Sequence, residues 1–293
     1  MIKLIANPIA GRGRGREALP AAEEALRHQG LHFATEVTSR PLEAMEIARR
    51  AAEEGCELVV AMGGDGTSHE VANGLLSSSN SEVTLGMIPI GTGNDFADMF
   101  DTPTDLTALC QRFREGKTRL IDVGQVNDRY FVNVLGIGFD ALVSIESLKI
   151  QHVLRGFPLY LAAVFITLKE YQIPHITVEF DGERLSMPMT MINVANGKRE
   201  GGGFLITPDA KNDDGVFDLL IAEGLGRLGI LRLLPEVIKG THVDKEPVTM
   251  ARAKRVVIDS PDPLPVHADG EILYTDAHHL EIKIIPSRLR VIT

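Results

Sequence analysis

Two short stretches of the chain concentrate residue types suited to holding phosphate. Gly63-Gly64-Asp65-Gly66-Thr67 follows the apolar run Leu58 to Met62. Closely spaced glycines let the backbone take up positive φ and approach a ligand closely. The helix expected to start there would turn free N–H groups and its positive dipole end toward an anion. Asp65 then stands where a carboxylate can hold Mg²⁺ against that phosphate. Thr67 and Glu70 also have capping-box spacing, so the same residues can be read as a plain helix start. The second stretch, Pro89-Ile90-Gly91-Thr92-Gly93-Asn94-Asp95, closes another apolar run and again leads into a helix pattern. In an open α/β sheet, ligands lie outside the carboxyl ends of the strands. Two turns carrying Gly, Asp and Thr on one such edge would face one crevice.

Other phosphate signatures fail on the letters. Gly116-Lys117-Thr118 lacks the leading glycine of a Walker A loop, because Gln111 stands there. Gly11-Arg12-Gly13-Arg14-Gly15-Arg16 has arginine where the third glycine of a dinucleotide fingerprint belongs. It still offers backbone amides and Arg12, Arg14 or Arg16 to a polyphosphate, or it is a solvated basic loop. The formal net charge of -10 and the absence of tryptophan argue against nucleic acid as a partner. Cys56 and Cys110 have no metal or redox spacing and read as small buried hydrophobes, a usage that fits the cytoplasm. The apolar stretch Phe157 to Leu168 falls short of the roughly 20 residues that span a bilayer. No transmembrane segment or signal peptide is expected.

The elements that must position these turns alternate through the first part of the chain. Strand patterns at Lys3 to Ala6, His32 to Val37, Leu58 to Met62 and Val83 to Ile90 are separated by helix patterns at Glu17 to Gln29, Pro41 to Glu54 and Thr67 to Leu76. Near-continuous apolar strands between helices imply a parallel sheet covered on both faces. This predicts an α/β domain over residues 1–123, which residues 288–293 can rejoin as an extra strand. Beyond Asp122 the texture changes to strands separated by turn signals such as Asn127-Asp128 and Asp181-Gly182, with helical interruptions at Leu142 to Tyr171 and Arg227 to Ile238. Residues 124–287 therefore read as a mostly antiparallel β-sandwich or barrel with helical insertions. Asp213-Asp214-Gly215 reads as a hairpin turn on its own merits, and His278-His279 as a surface pair.

With these stretches in view, the chain resembles the diacylglycerol kinase catalytic-domain family, whose bacterial soluble lipid kinases are nearest in size. The resemblance rests on Asn7-Pro8 with the Gly/Arg loop, Gly63 to Thr67, Gly91 to Ala97, and Asp122-Val123-Gly124. It continues through Phe131-Val132-Asn133 to Gly138-Phe139-Asp140, Thr207-Pro208 to Asp214-Gly215, and Asp269-Gly270-Glu271, in the family's order over nearly the whole chain. It implies an α/β domain of the NAD kinase/phosphofructokinase-like type, a β-rich lipid domain, and a nucleotide in the cleft between them.

The implied reaction is ATP- and Mg²⁺-dependent phosphorylation of a lipid hydroxyl, with an NAD kinase-like small-molecule kinase or a non-catalytic binding protein as alternatives. Glu271 matches the proton acceptor, with Asp65 and Asp269 also expected in the catalytic set. Asn7, Thr38, Gly63, Gly64, Asp65, Gly66, Thr67, Thr92, Gly93, Asn94 and Asp95 are expected at the nucleotide. Lys211, Asp214 and Val216 match a structural Mg²⁺ turn, where the family uses two backbone carbonyls and the side chain at the position of Asp214. Ser68-His69 departs from the usual Ile-Asn, and His69 is expected on the helix surface. The lipid partner implies contact with a membrane surface, at which Leu142 to Tyr171, with Lys149, Arg155 and Lys169, could form a greasy entrance. A homodimer and a peripheral place at the inner membrane face belong to the same expectation.

Overall fold

Leu58 to Met62 carries an apolar residue at every position, and a strand of that kind is stable only with both faces covered. In the computed structural model, which describes residues 1–293, that is what it becomes. Cα packing separates one unit, Met1–Asp122 with Ser287–Thr293, from a second, Val123–Pro286. The first unit contains β1 (Ile2–Ala6), α1 (Arg14–His28), β2 (Phe33–Val37), α2 (Glu43–Glu53), β3 (Leu58–Gly63), α3 (Asp65–Leu76), β4 (Thr84–Pro89), α4 (Asp95–Asp98) and α5 (Leu106–Glu115). Its strands run parallel in the order β2-β1-β3-β4. Arg290 and Val291 add a further parallel pairing beside Thr84 and Leu85.

Strand side chains alternate between faces, and the core follows. Ile2, Leu4, Ala6, Leu58, Val60, Met62 and Ile88 pack against Ala22 and Leu26 of α1 and Leu109, Cys110 and Phe113 of α5. Helices α2 and α3 pack against each other, so closely that a Cβ on Gly74 would collide with the Met45 carbonyl. Helix α5, unassigned in the sequence reading, begins at Asp105, whose side chain accepts from the Ala108 N–H, and ends at the left-handed Gly116.

The capping-box expectation for α3 is not met. Its N-cap is Gly64, with no side-chain cap. The Glu70 carboxylate instead accepts from the Leu42 and Ala44 N–H groups, each at 3.1 Å, and so caps α2. His69 is not on the surface either: it is 5% exposed, with its Nε2 3.3 Å from Asn73 Nδ2.

The second unit begins within β5 (Thr118–Val126) and continues through β6 (Arg129–Phe131), β7 (Val134–Gly138), α6 (Phe139–Ile150), α7 (Gly156–Thr167), β8 (His175–Phe180) and β9 (Glu183–Ala195). It is completed by β10 (Phe217–Glu223), α8 (Arg227–Lys239), β11 (Val248–Ala253), β12 (Arg255–Ala268) and the start of β13 (Glu271–Ile292). Two long strands bend to serve three neighbours each. The first half of β9 pairs with β8 and its second half with β7 and β10. The first half of β12 pairs with β8 and its end with β7.

The bends fall at proline, which cannot donate to a ladder: the β8 register on β9 ends at Pro188, and the β12 register shifts across Pro261, Pro263 and Pro265. The circuit β7-β9-β8-β12 thereby closes around Leu135, Ile137, Val178, Ile192, Ile258 and Val266. Asp213-Asp214-Gly215 leads into β10 without a paired strand before it, so it is a turn but not a hairpin.

Replacing Glu70 by Ala removes two hydrogen bonds from a charged acceptor to the start of α2, and each such bond is worth about 1.5–3 kcal/mol at most. A urea titration should show a loss of about 1–2 kcal/mol with an unchanged slope.

Candidate functional site

The four parallel strands of the first unit end on one edge, and the singled-out residues gather there. Asn7 follows β1, Thr38 follows β2, Gly63 ends β3 with Gly64 to Thr67 after it, and Gly91 to Asp95 follow β4. The two glycine turns touch: a Cβ on Gly91 would lie 2.7 Å from the Gly64 Cα, which requires glycine at 91, and one on Gly64 would press on the Gly91 Cα at 3.2 Å. Asp65 fastens them. Its Oδ2 accepts from the Asn94 N–H at 2.7 Å and its Oδ1 from the Phe96 N–H at 3.1 Å. The same carboxylate thus caps α4, which opens at the left-handed Asn94.

Asn7 Nδ2 donates to Thr67 Oγ1 at 3.0 Å, and Thr67 fills the space a Gly63 Cβ would need. The Thr38 hydroxyl lies 3.5 Å from the Ala6 carbonyl. Thr92 is exposed at the tip of its turn, while Asp95 is buried. Gly15 packs on the Asn7 carbonyl, and Arg12, Arg14 and Arg16 are exposed beside it.

In the second unit, Asp269 and Gly270 form a two-residue link between β12 and β13, with φ of 52° and 87°. An Asp-Gly pair with both φ positive is the preferred tight hairpin loop. The loop is anchored rather than free: the Asp269 carboxylate accepts from the N–H groups of Val132, Asn133 and Val134 at 2.8–3.1 Å. Glu271 follows at the first position of β13 and is exposed.

Behind this loop lies a polar cluster that no spacing in the sequence announced. His267 is fully buried, with Nε2 3.1 Å from Asp140 Oδ2 and 2.9 Å from Glu200 Oε1. Asn193 Nδ2 donates to the same Asp140 oxygen at 2.5 Å. Burial and the neighbouring Asp140 charge push the Glu200 carboxyl up to about 8. Only glycine fits at 136, because a Cβ there would collide with His267 Nε2 and Asp140 Oδ2. Four separate segments supply the cluster, which is why it is invisible until the strands pair; Gly136 was the one local signal.

Asp140 and Glu200 also line an apolar cavity of about 80 Å³ that opens to solvent. The walls come from α6, α7, α8 and the neighbouring sheet, among them Val143, Tyr160, Val164, Phe204, Leu220 and Leu234. The helix Phe157 to Leu168 is therefore both core and cavity wall.

The turn Lys211, Asp214, Val216 sits in an acid-rich segment. Asp214 is ion-paired with Arg252, whose Nε lies 3.7 Å from Asp218. Burial, with Asp214 and Asp209 nearby, raises the Asp218 carboxyl against the pull of Arg252. Its Oδ2 is buried without a hydrogen-bond partner. An orphaned carboxylate oxygen in a segment where Arg252 is shared between two acids fits a bound divalent cation.

Comparison with known proteins adds identity to this geometry. The diacylglycerol kinase catalytic domain matches residues 1–126, and the YegS C-terminal NAD kinase beta sandwich-like domain matches residues 133–293. The diacylglycerol kinase of Mycobacterium tuberculosis is 31% identical, covering 99% of this chain and 94% of its own. A crystal structure from Bacillus anthracis, of a protein assigned as a diacylglycerol kinase, has a TM-score of 0.82 at 24% identity, covering 99% of this chain and 96% of that one. Yeast NADH kinase shares the fold at a TM-score of 0.53 and 11% identity, covering 99% of this chain and 82% of that one.

The Glu200 carboxyl makes a pH prediction whose sign is fixed. Between its ordinary value of 4.5 and about 8 it holds a proton in the folded protein but not in the unfolded chain. Stability from this group is therefore full at low pH and falls as pH rises through that window. Glu200→Gln carries no charge, so its melting temperature should gain on the native protein from about pH 5 to pH 8. A constant difference across that range would show that Glu200 is ionised in the fold.

Proposed function

The chain belongs to the diacylglycerol kinase catalytic-domain family, and from that membership we propose that it transfers the γ-phosphoryl group of ATP to the free hydroxyl of a diacylglycerol-type lipid. It is a lipid kinase that uses ATP. The observation that carries the lipid reading is the apolar cavity, walled by aliphatic and aromatic side chains with acidic groups at one place only. A small polar acceptor such as NAD finds no complement in such walls. The shared fold with NADH kinase carries no activity by itself.

Phosphoryl transfer leaves the protein mainly to position its reactants and neutralise charge. The glycine turns after β3 and β4 supply backbone N–H groups at a strand edge and a helix start, with Asn7, Thr38, Thr67, Thr92, Gly93 and Asn94 around them. Mg²⁺ bound with the phosphates would screen the donor, and Asp65 and Asp95 are the carboxylates that would hold it. Asp65 already receives two N–H groups, so its position is set before any ligand arrives. A second Mg²⁺ in the 211–216 turn would take the Asp214 carboxylate and the Lys211 and Val216 carbonyls and relieve the crowded acids there.

Glu271 is the general base: an exposed carboxylate on a rigid hairpin, free to orient the lipid hydroxyl and accept its proton as the new P–O bond forms. Asp269 is a positioning residue, since its carboxylate is spent on three backbone N–H groups.

The acyl chains occupy the cavity beneath α6, α7 and α8, reached from a membrane surface. No helix is long and apolar enough to cross a membrane. Leu148, Val153, Phe165 and Leu228 are nevertheless exposed on or beside these helices, Val153 by 68% and Leu228 by 71%. Lys149, Arg155, Lys169 and Arg227 lie near them in sequence and suit anionic headgroups.

The test is ADP release with ATP and Mg²⁺ against dioleoylglycerol, phosphatidylglycerol or a sphingoid base in mixed micelles, with NAD as control. Turnover with dioleoylglycerol is expected; turnover with NAD alone would overturn the lipid reading. Glu271→Ala should lose about 10²–10⁴-fold in kcat with the KM for ATP unchanged, and full turnover in that variant would remove Glu271 as the base. Leu161→Ser with Phe165→Ser should abolish activity on anionic vesicles and leave ATP binding intact. Unchanged vesicle activity would rule out docking through α7.

A further inference from the structure

The hairpin that presents Glu271 is held from one side by Asp269, and the Asp140–Glu200–His267 cluster lies on its other side. His267 stands in β12, three residues before Gly270, and its Nδ1 accepts from the Gly270 N–H at 3.3 Å. Gly270 has φ +87° and no side chain, so apart from its peptide neighbours nothing else of this residue can be gripped. The amide next to the base thus ends on a buried imidazole. That ring in turn is fixed by two carboxyls through Nε2 and is admitted to its place by the missing Cβ of Gly136.

An imidazole accepts through Nδ1 only in its neutral form with the ring proton on Nε2. Burial opposes charge on the ring, but the Glu200 and Asp140 carboxyls pull it above its ordinary value toward double protonation. Against that pull stand the Gly270 N–H aimed at Nδ1 at 3.3 Å and a Glu200 carboxyl that keeps its own proton up to about pH 8. Nε2 then carries the proton that Asp140 and Glu200 receive, so this nitrogen has no lone pair for a metal ion. The three side chains would otherwise be close enough to hold one. The Gly270 contact therefore distinguishes a hydrogen-bond relay from a metal centre.

From this geometry we infer that His267 is a positioning residue for phosphoryl transfer: its Nδ1 fixes the Gly270 amide and so the direction in which Glu271 leaves the hairpin. The inference rests on Glu271 being the base. Asp140 and Glu200 face the lipid cavity as well as the ring, so the relay joins the cavity wall to the turn that carries the base. Misplacing a catalytic group by about 1 Å costs up to about 10²-fold in rate, which is the scale of effect available to a residue acting at this distance.

Two substitutions separate positioning from plain stability. In His267→Asn the side-chain oxygen takes the place of Nδ1, so the Gly270 bond survives and the carboxyls lose their donor. In His267→Gln the terminal amide reaches the carboxyls and the Nδ1 acceptor is lost. Each is assayed in the full-length protein with ATP, Mg²⁺ and dioleoylglycerol micelles, beside a thermal melt and Glu271→Ala. His267→Gln should lose about 10- to 100-fold in kcat at unchanged KM for ATP. His267→Asn should keep the larger kcat although it melts lower. If kcat follows the melting temperature, or both variants turn over like the native protein, the inference is overturned.

An active Glu271→Ala would strike the premise instead, and is read independently. Should neither His267 variant fold, the ¹⁵N-imidazole spectrum of the native protein decides. The Nε2–H tautomer of His267 supports the relay, and a proton on Nδ1 overturns it.

Discussion

The first unit depends on a contact between backbones that glycine makes possible. Gly64 and Gly91 bring two strand-to-helix turns together at backbone distance, and the Asp65 carboxylate crosses between them to the Asn94 and Phe96 N–H groups. A carboxylate accepting backbone N–H bonds at a helix start is a strong, directional interaction. Here it makes a single surface out of loops 29 residues apart. Thr67 and Asn7 extend the same surface to β1. The rest of the edge follows from parallel pairing, which places the ends of all four strands on one side.

The second unit solves a different problem, the enclosure of apolar space without filling it. Prolines bend β9 and β12 so that each joins the circuit β7-β9-β8-β12 at two places, and the interior of that circuit is packed solid. The helices α6, α7 and α8 lie outside it and leave room between themselves and the sheet. Buried polar groups are tolerated in such a place only when they hydrogen-bond one another. Asp140, Glu200, His267 and Asn193 do so at the boundary between cavity and hairpin, with Glu200 Oε2 and Asn193 Oδ1 left without a partner.

The same acids that give the chain its negative charge are distributed with purpose. Glu70 and Asp105 cap helix starts, Asp181 and Asp269 hold hairpins by receiving N–H groups, and the segment from Asp209 to Asp218 concentrates charge that a cation would relieve. The exposed Glu271 differs from all of them in standing outside any such bond to a turn, on a loop whose two other residues are fixed. That is the support the proposed role of Glu271 requires, since a group already held in place acts without reorganisation of its own.

How much of this was legible in the letters depends on how local each cause is. The alternation of apolar strands with helices in the first unit, the glycine turns, and the Asp-Gly hairpin at 269–270 are set by neighbours in sequence. Period, chain reversal and positive φ are properties of a few consecutive residues, and they could be read directly. Glu70 and His69 could not, because whether a helical position caps a neighbour or is buried depends on what packs against each face of α3. The same holds for Asp140, Asn193, Glu200 and His267, which come from four segments with no spacing in common. Their meeting follows from β7, β9 and β12 pairing in one register, and strand register is a long-range property. The sequence by itself determined where phosphate-type turns and a tight hairpin form. The tertiary structure alone decided which acids stand at a cavity wall and which imidazole supports the hairpin, because burial and proximity arise only once distant strands share a sheet.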